Sequence, residues 1–166
     1  MKKIFGFLMF VCVLTSCGPT RQEAADYNDR VIELQRLVIT KYDALLETYD
    51  TYVASKMDDA LIEFEEQIDL SEKAVKAIPI IESAEYYTAE ILNYFEVYKS
   101  IAENESRELV RLYKVPENEF SSEMRVQWDA LYKQSDDKAK AADKKLQEVQ
   151  TKFAEQFNLV LNKKSL

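Results

Sequence analysis

Apolar and aromatic side chains recur at steps of three and four along most of this 166-residue chain. Such steps keep one side of an α-helix apolar, because the helix has 3.6 residues per turn. Four stripes of this kind follow one another and predict helices at about residues 22–54, 56–77, 83–113 and 122–162. Short connections make sequential helices antiparallel neighbours. We therefore predict an all-α fold, a single antiparallel up-down-up-down four-helix bundle of long helices.

Polar residues and proline mark the boundaries of these helices. Ser55 with Asp58 resembles a capping pair at the start of the second helix, and Pro79 disfavours helix after its end. Ser83 lies near the predicted start of the third helix, and Ser121 is typical of the residue that caps the fourth.

Two common residue types are scarce or missing. Both glycines, Gly6 and Gly18, lie at the N-terminal end, and there is no histidine. Tight hairpins and phosphate-binding loops need glycine, while the usual Ser-His-Asp triads, zinc sites and di-iron bundles need histidine. We therefore expect no catalytic residues, no metal site and no cofactor, and we expect that the chain is not an enzyme.

The N-terminus has the pattern of a bacterial lipoprotein signal peptide. Two lysines precede an apolar run at residues 4–14, which is too short to span a bilayer as a helix. The sequence Leu14-Thr15-Ser16-Cys17 then resembles a lipobox. We predict a signal peptide at residues 1–16 and a diacylglycerol or acyl modification on Cys17. No cysteine follows it, so the mature chain has no disulfide.

Lipidation at Cys17 predicts both a domain layout and an orientation. The layout is a lipid-anchored tether at 17–23, a bundle at 24–162 and a basic end at 163–166, whose lysines would face headgroups. The loops farthest from the lipid would meet a partner. Gly18 follows the lipidated cysteine, and under the sorting rule of some Gram-negative bacteria a residue other than Asp favours the outer membrane. The pattern does not distinguish the periplasmic face from the cell surface.

The net charge narrows the possible partners. Without residues 1–16, which carry two lysines and no acid, the chain has 20 basic and 30 acidic residues, and its net charge is −10. An acidic surface repels the phosphates of nucleic acids and of anionic lipids. We therefore expect no nucleic-acid partner, membrane contact through the lipid anchor, and a protein partner in the cell envelope.

Glu105 interrupts the apolar stripe of the third helix, where a carboxylate needs a partner if it is buried. A phenol or Arg125 is the expected partner. One interpretation is a structural polar layer that fixes helix register; the other is a pocket for a small ligand. Counting along antiparallel helices gives the other members of this layer: Asn104, Tyr49, Trp128 and Tyr132.

Three further patterns indicate ordinary helical packing. The ten tyrosines fall at helical spacing, which favours the core over an aromatic binding platform. Acidic residues crowd the second helix without EF-hand spacing, which is typical of a solvated face. We expect the lysines of the fourth helix to pair with those acids: Lys138, Lys140, Lys144, Lys145 and Lys152.

Three segments are similar to a known family. Residues 25–35 (ADYNDRVIELQ), 95–105 (FEVYKSIAENE) and 153–159 (FAEQFNL) resemble uncharacterised helical lipoproteins of Gram-negative bacteria, one branch of which is labelled a leptospiral surface protein. The resemblance covers most of the mature chain. It implies a helical fold and an envelope location, and it assigns no site residue.

The sequence thus leads to two functional hypotheses. The first is a lipid-anchored envelope lipoprotein that acts as a non-enzymatic interaction or structural module. The alternative is a helical bundle that binds a small ligand beside the polar layer at Glu105. A ligand binder should contain a cavity at that layer and should melt at a higher temperature when the ligand is present.

Overall fold

The computed structural model describes residues 18–51 and 53–161, with the backbone alone for residues 50 and 51. The predicted signal peptide, the candidate lipidation site Cys17 and the basic end at 163–166 lie outside these residues. Their assignment stays a prediction.

The described residues form four antiparallel helical rods and contain no strand, which confirms the predicted all-α bundle. The third rod is continuous but changes helix type twice, and a 3₁₀ turn at Glu117–Glu119 lies in the last connection. In chain order the helices are α1 (Arg21–Thr51), α2 (Ala54–Ala77), α3 (Glu85–Ser100), a π-helical segment (Ile101–Ser106), α4 (Arg107–Tyr113) and α5 (Ser122–Gln156).

A capping box begins α1. The Thr20 amide donates to Glu23 Oε2 at 2.7 Å, and the Glu23 amide donates to Thr20 Oγ1 at 3.2 Å. This reciprocal pair satisfies two amides that a helix start otherwise leaves unpaired. Because the helix starts at Arg21, the predicted tether at 17–23 is too long at its C-terminal end: only residues 18–20 of the described chain precede α1.

The predicted cap of the second helix is wrong, whereas that of the fourth is confirmed. Ser55 lies inside α2, because only two residues separate α1 from α2. The cap position is occupied by Val53, whose carbonyl oxygen accepts the first hydrogen bonds of the helix and whose side chain makes none. Ser83 lies two residues before α3 and has φ 68°. Ser121 accepts a hydrogen bond from the Met124 amide and caps α5.

The end of α5 also differs from the prediction, which extended this helix to residue 162. Asn158 takes a left-handed conformation with φ 53°, and the Leu159 amide donates to the Ala154 carbonyl oxygen at 2.8 Å. The Asn158 amide donates to the carbonyl oxygen of Glu155. This pair of bonds is a Schellman motif, in which asparagine takes the place that glycine usually fills.

The predicted stripes form one core along the axis of the bundle. Ser71, the polar residue in the stripe of α2, is fully buried, and its hydroxyl donates to the Leu34 carbonyl oxygen. Aromatic rings are the largest completely buried side chains, so the tyrosine spacing does indicate core: Tyr87, Tyr94, Tyr98, Phe64, Phe95 and Phe153. Each such ring contributes roughly 1.5–3 kcal/mol by burial.

The α5 lysines do not pair with the acids of α2, which corrects that prediction. The reason is position: α2 packs against α1 and the third rod, whereas α5 packs mainly against the third rod. The acids of α2 pair with basic residues of those two neighbours: Glu63 with Lys41, Asp58 with Lys114, Glu65 with Arg107 and Asp69 with Lys99. The α5 lysines have other partners: Lys138 with Glu105, Lys140 with Asp136, Lys144 with Glu148, Lys145 with Glu90 and Lys152 with the Tyr86 ring.

Candidate functional site

The π-helical segment brings Glu105 and its neighbour into the core. From residue 101 to residue 110 the buried positions come in pairs spaced by four: 101–102, 105–106 and 109–110. An α-helix has 3.6 residues per turn, so a spacing of four drifts off its buried face, and the wider π turn removes that drift. This π-helical segment was not predicted, although the four-residue spacing of apolar and polar buried positions is a signal for it.

Glu105 is only 3 % exposed and forms an ion pair with Lys138. Lys138 Nζ donates to Glu105 Oε1 at 2.7 Å, whereas Oε2 is buried and has no hydrogen-bond partner in the described part of the chain. The expected partners, a phenol or Arg125, are wrong. Arg125 lies about 20 Å from Lys138 along α5, at 1.5 Å per residue, and its guanidinium covers the Phe120 ring.

Asn104 and Tyr132 do not belong to the buried layer. Asn104 is exposed, and its side-chain amide donates to the Ser100 carbonyl oxygen at 2.7 Å. Tyr132 is 46 % exposed. Both side chains are exposed, so the prediction that they share a buried layer with Glu105 is wrong.

Tyr49 is the predicted layer residue that does lie beside the π-helical segment. Among the residues that the structure describes, neither the buried Tyr49 hydroxyl nor that of Ser106 has a hydrogen bond of ordinary geometry. Burial raises the pKa of the Tyr49 phenol, and the nearby Ser106 hydroxyl partly opposes that rise. With Glu105 Oε2, three buried polar atoms thus lack a hydrogen bond to any described residue. A buried polar atom left without a partner costs roughly 1–3 kcal/mol.

A cleft of about 850 Å³ opens at the end of the bundle where α1 and α4 end and α5 begins. This end is called distal because it is opposite the start of α1. We call the cleft the distal aromatic cleft. A volume of this size suits a small ligand or a few side chains of a partner. Five aromatic residues line it: Tyr49, Tyr113, Phe120, Trp128 and Tyr132.

Trp128 holds three helices together at this cleft. Its ring centroid lies 5.4 Å from that of Tyr49, nearly perpendicular to it, and 5.5 Å from that of Tyr113. The Tyr113 hydroxyl donates to the Tyr49 carbonyl oxygen at 3.0 Å. Tyr49 and Trp128 were both predicted to lie level with Glu105, and their rings contact each other. Tyr113 and Phe120, at a helix end and in a loop, were not predicted.

The charged residues of the cleft are two carboxylates and one guanidinium. Arg125 lies over the Phe120 ring, with its Cζ atom 5.6 Å from the ring centroid, in a cation–π contact. Asp129 and Glu117 line the same cleft, and neither forms an ion pair with any residue that the structure describes. The cleft therefore combines aromatic rings with two carboxylates that form no ion pair with a described residue, and this combination suits binding of a cationic group.

Other features of the described residues are weaker candidates for a functional site than the distal aromatic cleft. A second cleft, of about 620 Å³, lies at the opposite end between residues 18–30 and 78–82. Among residues 18–51 and 53–161 the acids form no group able to hold a metal ion. No helix within those residues is long and apolar enough to cross a membrane.

Comparison with known proteins identifies no relative. No family model, no curated protein and no solved structure matches the chain. The interpretation of the site therefore depends on its own chemistry.

Proposed function

We propose that this chain is a lipoprotein anchored in the bacterial outer membrane by a lipid on Cys17, and that it acts as a non-enzymatic interaction module. The observation that carries the proposal is the short connection between anchor and bundle. Three residues separate Cys17 from α1, and the capping box fixes the last of them, Thr20. The bundle then stands close to the lipid at its α1 start.

This connection supports a defined orientation. The α2–α3 turn and the end of α5 lie at the same end of the bundle as the start of α1. Helix α1 has 31 residues and is about 46 Å long at 1.5 Å per residue. The distal aromatic cleft would thus be held about that far above the membrane, where an envelope protein can reach it.

The anchor itself is supported by the lipobox at residues 14–17 and by the resemblance to Gram-negative helical lipoproteins. Metabolic labelling with a fatty-acid analogue tests it. We expect label and membrane association in the wild-type chain and in Cys12→Ser, the matched control, and neither in Cys17→Ser. Label that persists in Cys17→Ser would overturn the assignment of the anchor.

The interaction role is tested by photo-crosslinking in cells. A crosslinking amino acid replaces Tyr132 at the distal cleft or, as the control, Glu82 at the opposite end. We expect a protein adduct from the distal position alone. Equal adducts from both positions, or none from the distal one, would contradict presentation of the distal end.

A small-ligand binder is the second candidate, because the distal cleft adjoins Tyr49, whose hydroxyl lies unpaired in the core near Ser106. A metabolite screen by thermal shift tests it, since a ligand that binds the folded state raises the melting temperature. Glu105→Gln should reduce that shift if the ligand reaches the buried layer. A hit whose shift is unchanged in this variant would place the ligand in the outer cleft.

A further inference from the structure

The distal aromatic cleft has a chemistry that neither proposed role specifies. Trp128 is partly exposed and Tyr132 is 46 % exposed, although both are large aromatic residues. The face of an aromatic ring carries partial negative charge, which attracts a cation within about 6 Å of the ring centroid. Accessible rings in a concave site are thus suited to a cationic ligand.

The cleft itself contains an example of such a contact. The Arg125 guanidinium packs on the Phe120 ring at 5.6 Å, so one positive charge and one ring are already paired. The other two charged residues of the cleft, Asp129 and Glu117, are negative and have no ion-pair partner among the described residues. Charge and ring chemistry therefore favour the same class of ligand.

We propose that the distal aromatic cleft binds an organic cation: an alkylammonium, quaternary ammonium or guanidinium group that contacts the rings of Trp128 and Tyr132 and is neutralised by Asp129 and Glu117. The cation is a free small molecule or a lysine or arginine side chain of a partner. A partner side chain as the ligand rests on the proposed interaction role, whereas a free small molecule does not.

Trp128 provides the assay, because it is the sole tryptophan of the chain and lies in the cleft. The full chain, in a neutral detergent, is titrated with tetramethylammonium chloride and with an uncharged methyl glucoside. Sodium chloride at equal concentration is the ionic-strength control. We expect a saturable fluorescence change with the organic cation and none with the sugar or with sodium chloride.

Two variants locate the binding. Asp129→Asn and Tyr132→Ala should each weaken binding about fivefold, in line with the loss of one charge or one ring contact. The matched control is Asp137→Asn, an exposed acid on the same helix that pairs with Lys133 outside the cleft. Circular dichroism confirms that each variant is folded. Sugar binding as tight as cation binding, or Asp129→Asn binding like wild type, would overturn the proposal.

A peptide with one arginine distinguishes the two sources. If it binds about tenfold more tightly than tetramethylammonium, the ligand is a partner side chain; if both bind alike, it is a small molecule. Absence of binding by either would refute the cation site, while lipid labelling and distal crosslinks would still test the proposed function independently.

Discussion

The ion pair between Glu105 and Lys138 gives the sharpest test of how the bundle is stabilised. In Lys138→Met the carboxylate keeps its burial at 3 % exposure but loses the ammonium that binds Oε1. Oε2 already lacks a partner, so the carboxylate would have no hydrogen bond at all. A charge left unpaired in a protein interior costs about 3–5 kcal/mol.

The lower end of that range applies here, because the Lys138 side chain is 33 % exposed and water replaces part of its contact. We therefore expect Lys138→Met to lower the free energy of unfolding by about 3 kcal/mol. For a domain of this size that corresponds to a melting temperature about 6–12 °C lower. The double variant Glu105→Leu with Lys138→Met removes both charges and should be within about 1 kcal/mol of wild type.

Urea unfolding followed by far-UV circular dichroism measures both values. The matched control is Lys133→Met, which breaks an exposed pair with Asp137 on the same helix and should change stability by less than about 0.5 kcal/mol. The reasoning is refuted if Lys138→Met costs no more than this control. It is equally refuted if the double variant is as unstable as Lys138→Met alone, because the unpaired charge would then not be the cause.

Three other predictions concern the core and the helix ends. Burial raises the pKa of Tyr94 and Tyr98 above that of a phenol in the unfolded chain, which is about 10. The contribution of these phenols to the free energy of unfolding is therefore complete below pH 10 and falls by about 1.4 kcal/mol per phenol for each pH unit above it. Urea titrations at pH 9, 10 and 11 should show this loss. Asp143 Oδ1 accepts both of these hydroxyls, at 2.9 and 3.3 Å, so Asp143→Ala should cost about 2 kcal/mol and Asp143→Asn less than half of that in the same urea assay. At Asn158, where φ is 53°, thermal melting should show Asn158→Gly at least as stable as wild type and Asn158→Ala about 1 kcal/mol less stable; the reverse order would contradict the role of this residue in ending α5.

The four helices were predictable because their apolar spacing repeats over many turns, and one irregular residue changes such a pattern little. Ser71 shows this: it fills a stripe position of α2 and is buried there. Helix ends are set by single residues, so they were harder to predict. Ser55 has the side chain of a cap but lies inside α2, and Asn158 ends α5 with a conformation usually assigned to glycine.

The candidate site was predictable only where residue counting along antiparallel helices is enough. That counting placed Tyr49 beside Trp128, and their ring centroids lie 5.4 Å apart. Residue counting did not predict the partner of Glu105, because it gives only the approximate position of a residue along the bundle axis. It does not give the length or the direction of the side chain. The residue of α5 that contacts Glu105 is Lys138, ten residues beyond the Trp128 that counting had placed level with it.

The π-helical segment at Ile101–Ser106 also couples the buried layer to the cleft above it. Each residue added to or removed from a helix rotates everything beyond it by about 100°. A π turn, however, holds one residue more than an α turn, so losing one residue from this segment would let it close as an ordinary α turn and leave Tyr113 facing Trp128. A one-residue deletion should therefore preserve the cleft when it falls within Ile101–Ser106, whereas the same deletion in α4 has no π turn to absorb it and should turn Tyr113 away from Trp128.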